Sequence, residues 1–296
     1  MDALVKRYGF HVAESSPKVP LHPTESRELL YGRTIINAIR LTLKAQDVQV
    51  FVFGQENLPT TGGALLAINH TGYYDFILGG IPAYTHGKRL VRFMAKKEIF
   101  DTPIVGALMR GMKHVSVNRA AGSGSMEDAR KRLDDGGLVG IFPEATVSRS
   151  FEIKELKTGA VRIAEDAQVP LLPVIIWGGQ RIITKDTKRD LGRSHIPVFV
   201  SVGTPVDSSG DPEEATARLY EAMKELLDET RTAYEQKFGP FEGGELWRPV
   251  SLGGGAPTLE QAKTLEIAER ERRQAKREAK KAAKKRPSLI KKLFKK

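Results

Sequence analysis

The stretch AINHTGYYDFI, residues 67–77, places a histidine and a carboxylate five positions apart. It follows an apolar run, so His70 falls in a turn just after a strand and Asp75 at the start of a helix. Such a turn can set the Asp75 carboxylate on one ring nitrogen of His70 and leave the other as a fixed acceptor, as a general base requires. An imidazole, with an ordinary pKa of about 6.5, can be neutral at rest and still take up a proton during reaction. The chain has no Cys and no GxSxG elbow. The base would therefore act directly on a substrate hydroxyl or on water. On spacing alone, a histidine that merely completes a local hydrogen-bond set is the commoner outcome.

Two further clusters sit at the ends of apolar runs, and a third is itself such a run. LVGIFPEATVSRS, residues 138–150, ends a strand at Phe142 and continues into Pro143, Glu144, Thr146, Ser148, Arg149 and Ser150. Polar groups at the carboxyl end of a strand face the crevice where open α/β sheets bind ligands, although a polar loop with a capping threonine would read the same way. GMKHVSVNR, residues 111–119, delivers Arg119, whose planar fork fits phosphate oxygens as well as it fits a surface carboxylate. VPLLPVIIWG, residues 169–178, is a buried strand bounded by proline.

The elements that position these groups follow from periodicity. Short apolar runs alternating with helical patterns between residues 47 and 205 predict an α/β domain. Strands are expected near 48–53, 64–68, 90–95, 114–117, 138–142, 172–176 and 198–202. Helices are expected near 75–84, 103–109, 125–135 and 156–167. The clearest helix is 212–238, with Asp211 as N-cap, Pro212 at N1, and Gly239 with Pro240 at its end. Residues 26–45 read as an amphipathic helix with Leu29, Ile36, Ile39 and Leu43 on one stripe. The organisation expected is a leader with this helix over 1–46, in which the first 25 residues are irregular, the α/β domain over 47–240, a Gly/Pro linker over 241–257 and a basic tail over 258–296.

In their order and spacing the four clusters resemble the glycerophosphate and lysophosphatidate acyltransferase family. Its NHxxxxD block is matched by Asn69, His70 and Asp75, and its Gly–strand–Arg block by residues 111–119. Its FPEGT block is matched by Phe142, Pro143, Glu144 and Thr146, and its VPxxPV strand by Val169, Pro170, Pro173 and Val174. The resemblance implies a single domain with a central mixed sheet flanked by helices. It implies transfer of an acyl group from acyl-CoA or acyl carrier protein to the hydroxyl of 1-acyl-sn-glycerol-3-phosphate, giving phosphatidic acid, with no cofactor or metal. His70 and Asp75 would be catalytic. Arg119, Glu144 and Thr146 would bind substrate, with Arg149, Lys157 and Arg162 as weaker phosphate contacts. Another lysophospholipid or lipid alcohol is the alternative acceptor. Ala145 stands where the family has Gly, which implies a turn without positive φ. Val147 stands where many relatives carry a basic residue.

The chain's 296 residues carry a formal charge of +11. Residues 258–296 hold fifteen Lys/Arg against five Asp/Glu, so the rest of the chain is nearly neutral. A tail of this kind can attract any polyanion, nucleic acid included. Its single aromatic, Phe294, offers almost no stacking platform, and so no nucleic-acid partner is expected. Residues 258–286 have mainly alanine at their apolar positions, which gives little to dock on the body. The closing SLIKKLFKK is cationic and amphipathic and fits an anionic lipid surface. No secretory signal and no run of about 20 apolar residues is visible. The expected location is therefore the cytoplasm, attached peripherally to the inner face of the plasma membrane.

Overall fold

A computed structural model describes residues 3–118 and 124–285. Arg119 and the segment 286–296 lie outside the described residues. Among the described residues nine strands form one sheet in the order β1-β2-β3-β9-β8-β4-β7-β5-β6. They are β1 (Leu4–Arg7), β2 (Phe10–Ala13), β3 (Gln49–Phe53), β4 (Ala64–Ile68), β5 (Val91–Lys96), β6 (Val115–Val117), β7 (Leu138–Ile141), β8 (Leu171–Trp177) and β9 (Pro197–Val202). The helices are α1 (Ile36–Ala45), α2 (Asp75–Leu78), α3 (Ile81–Thr85), α4 (Lys97–Phe100), α5 (Pro103–Gly111), α6 (Gly124–Asp134), α7 (Gly159–Asp166), α8 (Pro212–Phe238) and α9 (Leu259–Lys285).

β8, β4, β7, β5 and β6 run parallel, whereas β9 pairs antiparallel with β8 and turns the β3–β2 side of the sheet the other way. The carboxyl ends of five strands therefore open on one edge, where an open α/β sheet forms its crevice. The period of two in β4 sends Leu66 and Ile68 into the core on one face, with Leu43, Val50 and Phe93, and Leu65 and Ala67 into the core on the other, with Ala160, Leu219 and Tyr234. Burial on both faces explains the uninterrupted apolar runs of the central strands.

α8 starts as expected: the Asp211 carboxylate accepts from the backbone N–H groups of Glu213 and Glu214 at 3.0 and 3.1 Å. The helix expected over 75–84 is instead two, α2 and α3, separated by Gly79 and Gly80. Pro82 has no N–H to continue α2.

Four other expectations are corrected. The leader is not irregular: β1 and β2 form an antiparallel hairpin whose second strand extends the sheet beside β3. The helix expected over 26–45 is composite, with a wide-turned segment at Leu29–Ile35 before α1. The wider turn shifts the register, so Leu29 faces outward at 68% exposure while Tyr31 is buried and donates its hydroxyl to the Val91 carbonyl at 3.0 Å. The stretch expected to be a linker is packed: Phe241, Trp247, Leu252 and Ala256 join the core under α8, and Arg248 pairs with Glu235. Finally, α9 does dock, through buried Ala262 and through carboxylates rather than apolar side chains. The tail's high positive charge hid these acidic anchors.

Candidate active site

β4 ends at Ile68, and the chain turns through Asn69 and His70 at the crevice. The buried Asn69 amide fixes this exit. Its Oδ1 accepts from the Ile176 N–H at 2.7 Å and its Nδ2 donates to the Ile176 carbonyl at 3.1 Å, which continues the β4–β8 ladder with a side chain. The turn then brings His70 back onto Asp75. His70 Nδ1 lies 2.9 Å from Asp75 Oδ2, which also accepts from the N–H groups of Thr71 and Gly72 at 2.6 and 2.8 Å. Gly72 is required for the close fold-back, since a Cβ there would stand 3.0 Å from the Ile183 carbonyl oxygen.

The two members of this dyad differ in environment. Asp75 is fully buried, whereas the His70 side chain is 22% exposed. A carboxylate can only accept, so Nδ1 carries the proton and Nε2 keeps the lone pair, as general-base chemistry needs. The ring is braced against Phe142, with centroids 4.4 Å apart.

Behind the ring, Glu144 Oε1 accepts from the His70 N–H at 2.8 Å and Oε2 from the Lys154 N–H at 3.3 Å. Glu144 is buried, and desolvation pushes its carboxyl up to about 8, opposed by the His70 and Lys154 interactions. It therefore anchors the backbone of the dyad rather than lining an open pocket. Thr146 is next to it, its hydroxyl accepting from Lys154 Nζ at 2.6 Å. The turn that carries both residues is closed by the Ala145 N–H on the Phe142 carbonyl at 3.0 Å. Ala145 has φ +63°. The expectation of a turn without positive φ is thus corrected: alanine accepts the left-handed conformation that the block demands, at a steric cost of about 1–2 kcal/mol.

The other expected contacts divide. Arg149 is buried and held by Asp186 and Glu269. Lys157 is exposed and paired with Glu155 at 3.1 Å, so the structure does not bring it to the dyad. Arg162 is exposed on α7. Lys154 and Lys185 were not identified from the sequence. They lie past the ends of the motif blocks, and only their ion pairs with residues 84–112 positions away in sequence mark them.

An apolar cleft starts one residue from Asp75. It runs between α1 and the α2–α3 pair, lined by Ile36, Ile39, Phe76, Ile77, Ile81 and Tyr84 among others. Among the described residues no helix is long and apolar enough to cross a membrane.

A buried carboxylate thus lies on a partly exposed histidine at the carboxyl ends of parallel strands, beside an apolar cleft. Residues 49–177 match the family model described as Acyltransferase. The chain is an O-acyltransferase and is similar over this segment to the glycerophosphate and lysophosphatidate acyltransferases. It is 28% identical over 208 residues to the 1-acyl-sn-glycerol-3-phosphate acyltransferase of Bacillus subtilis, covering 68% of this chain and 96% of that protein. It is 25% identical over 197 residues to the enzyme of the same name from Borreliella burgdorferi, covering 64% and 76%. The fold matches the crystal structure of the 1-acyl-sn-glycerophosphate (LPA) acyltransferase PlsC of Thermotoga maritima, with a TM-score of 0.50 and 24% identity over 71% of this chain and 86% of that one.

Proposed function

We propose that this acyltransferase moves a fatty acyl group from an acyl-CoA or acyl carrier protein thioester to the free hydroxyl of 1-acyl-sn-glycerol-3-phosphate, giving phosphatidic acid for phospholipid synthesis. The observation that carries this reading is the His70–Asp75 pair beside the apolar cleft. In this mechanism His70 Nε2 removes the hydroxyl proton as the oxygen attacks the thioester carbonyl. The imidazolium, facing Asp75, then returns the proton to the leaving thiolate, and no covalent enzyme intermediate or cofactor is required. The cleft takes an acyl chain, and Arg119 holds the acceptor phosphate so that proximity supplies part of the rate. Glu144 and Thr146 keep the loop around the dyad in place.

The enzyme meets its lipid at a membrane surface, which we place at the inner face of the plasma membrane. Ile104 is 78% exposed on α5, with Val105 and Leu108 also exposed. A Cβ on Gly111 at the end of α5 would lie 2.6 Å from the side chain of Leu30, so this apolar surface continues onto the N-terminal helical segment. Val147, where many relatives are basic, favours a second reading in which another lysophospholipid is the acceptor.

Purified protein assayed with acyl-CoA and acyl carrier protein donors against lysophosphatidate, glycerol phosphate and lysophospholipids tests both readings. Turnover on lysophosphatidate, lost in His70→Ala, is expected. Turnover on lysophospholipids but not on lysophosphatidate would put the second reading in place of the first.

A further inference from the structure

Past the segment that matches the family model, the chain leaves β8 through Gly178 and runs back against the turn that carries the dyad. The Ile183 carbonyl accepts from the Tyr73 N–H at 3.0 Å. Thr184, which is buried, donates its hydroxyl to the Thr71 carbonyl at 2.5 Å. That carbonyl belongs to the peptide unit whose N–H is on Gly72, and the Gly72 N–H donates to Asp75 Oδ2 at 2.8 Å. The Thr184 hydroxyl, the 71–72 peptide and Asp75 thus form one continuous chain of hydrogen bonds.

The preceding peptide unit is held in the same way from the other side. The Ser148 N–H, in the loop after β7, donates to the His70 carbonyl at 2.7 Å, and the N–H of that unit, on Thr71, donates to Asp75 Oδ2 at 2.6 Å. Two consecutive peptides therefore aim at one oxygen, and each is engaged at its carbonyl by a different loop. A donor on a peptide carbonyl draws electron density to the oxygen and makes the N–H of the same unit a better donor, so bonds in such a chain strengthen one another by about 10–30% each.

Asp75 is fully buried, and its Oδ1 has no donor among the described residues. Compensation for desolvating the carboxylate therefore falls on the donors at Oδ2, the same oxygen that holds His70 Nδ1 at 2.9 Å. The Ser148 donor is a backbone group, which any residue but proline would supply. The Thr184 donor is a side chain, so the second chain depends on which residue stands at position 184.

We propose that Thr184 is a positioning residue for the reaction: through the 71–72 peptide it strengthens the Gly72 donor to Asp75 Oδ2 and so fixes the carboxylate that holds His70. The inference rests on the proposed role of the His70–Asp75 pair, and its test separates the two.

The test uses the full chain with Thr184→Val, which keeps the side-chain shape and removes the hydroxyl, and Thr184→Ser, which retains it. Each is made alone and together with Asp75→Asn. With acyl-CoA and 1-acyl-sn-glycerol-3-phosphate, Thr184→Val is expected to lower kcat about tenfold, the worth of about one hydrogen bond, at an unchanged KM for the acceptor. Thr184→Ser is expected to keep kcat near wild type. In the Asp75→Asn background the chain ends on a neutral amide, and Thr184→Val is expected to change kcat by less than about threefold. The same tenfold fall in both backgrounds, or an equal fall in Thr184→Ser, would overturn the proposal. Heteronuclear NMR reads the chain without turnover. The Gly72 amide proton is expected downfield of the ordinary amide range in the wild-type chain and to move upfield in Thr184→Val, while the Thr71 amide, engaged through Ser148, stays in place. A Gly72 amide at an ordinary shift in the wild-type chain would overturn the proposal even if Thr184→Val failed to fold, and so would Thr71 and Gly72 moving together. Full turnover in His70→Ala would sink the dyad reading and this proposal with it. Loss of turnover there, with no effect of Thr184→Val, would sink this proposal alone.

Discussion

Replacing Asp75 by Asn isolates the charge of the dyad from its geometry. Oδ2 of Asp75 already accepts all three hydrogen bonds, from His70 Nδ1 and from the Thr71 and Gly72 N–H groups, while Oδ1 is buried and has no donor among the described residues. An asparagine can place its carbonyl oxygen at the Oδ2 position and its amide group at the Oδ1 position, keeping the fold-back and the ring tautomer. What is lost is the attraction between a carboxylate and an imidazolium 2.9 Å apart. At an effective dielectric constant of about 20 this is about 6 kcal/mol. The hydrogen bond that the carboxylate already makes to the neutral ring accounts for about 1.5–3 kcal/mol of it in the ground state. Roughly 3–4 kcal/mol therefore develops only as the ring becomes charged, equivalent to about 10²- to 10³-fold in kcat. Steady-state kinetics with saturating donor, together with a thermal melt, is the appropriate assay. The expected result is a fall in kcat of this size with the KM for the acceptor and the melting temperature little changed. A kcat within about threefold of wild type, in a variant that melts normally, would refute the role of His70 as a base supported by Asp75.

Three other outcomes follow from the same geometry. Ala145→Gly, at φ +63°, is expected to raise stability by about 0.5–1 kcal/mol, since relief of the left-handed strain exceeds the added chain entropy; a lower denaturation midpoint would contradict it. Glu144, with its carboxyl held at about 8 in the folded chain, keeps a proton that the unfolded chain has released above about pH 4.5. Its contribution to stability is thus greatest below that pH and falls as pH rises toward about 8. Denaturation of wild type and Glu144→Gln across this window should show a steeper decline for wild type, and parallel curves would count against the buried, protonated carboxyl. Ile104→Glu is expected to weaken co-sedimentation with anionic liposomes without changing turnover on a short-chain soluble acceptor; unchanged sedimentation would move the membrane-facing surface away from α5.

The central part of the fold was legible because its signals are local. β4, β7 and β8 are apolar along their whole length, and β4 and β7 each end in a block whose residue types have a chemical reason to stand at a strand end. Asp75 could be assigned to His70 because only a tight turn lies between them. The hairpin of β1 and β2 was not legible, since four-residue strands carry little periodicity and gain their stability from pairing with each other and, through β2, with β3. Ala145 was misread because a side chain does not disclose the φ that neighbouring hydrogen bonds impose on it. The docking of α9 was hidden for a third reason. Lys154 and Glu266 are 112 residues apart, and each looks like an ordinary solvated charge until the tertiary fold pairs them.

The side-chain rung made by Asn69 has a consequence for folding fidelity. Its two bonds to Ile176 satisfy a donor and an acceptor at once, and both groups are buried in the centre of the sheet. Sliding β4 by one residue against β8 would leave four such groups without partners in a dry interior and would turn the strand's apolar set to the opposite face. Asn69 therefore proofreads strand register at the position immediately before His70, the proposed base. A misaligned chain is rejected by the same contact that aims His70, so correct assembly and competence for chemistry are acquired in a single event.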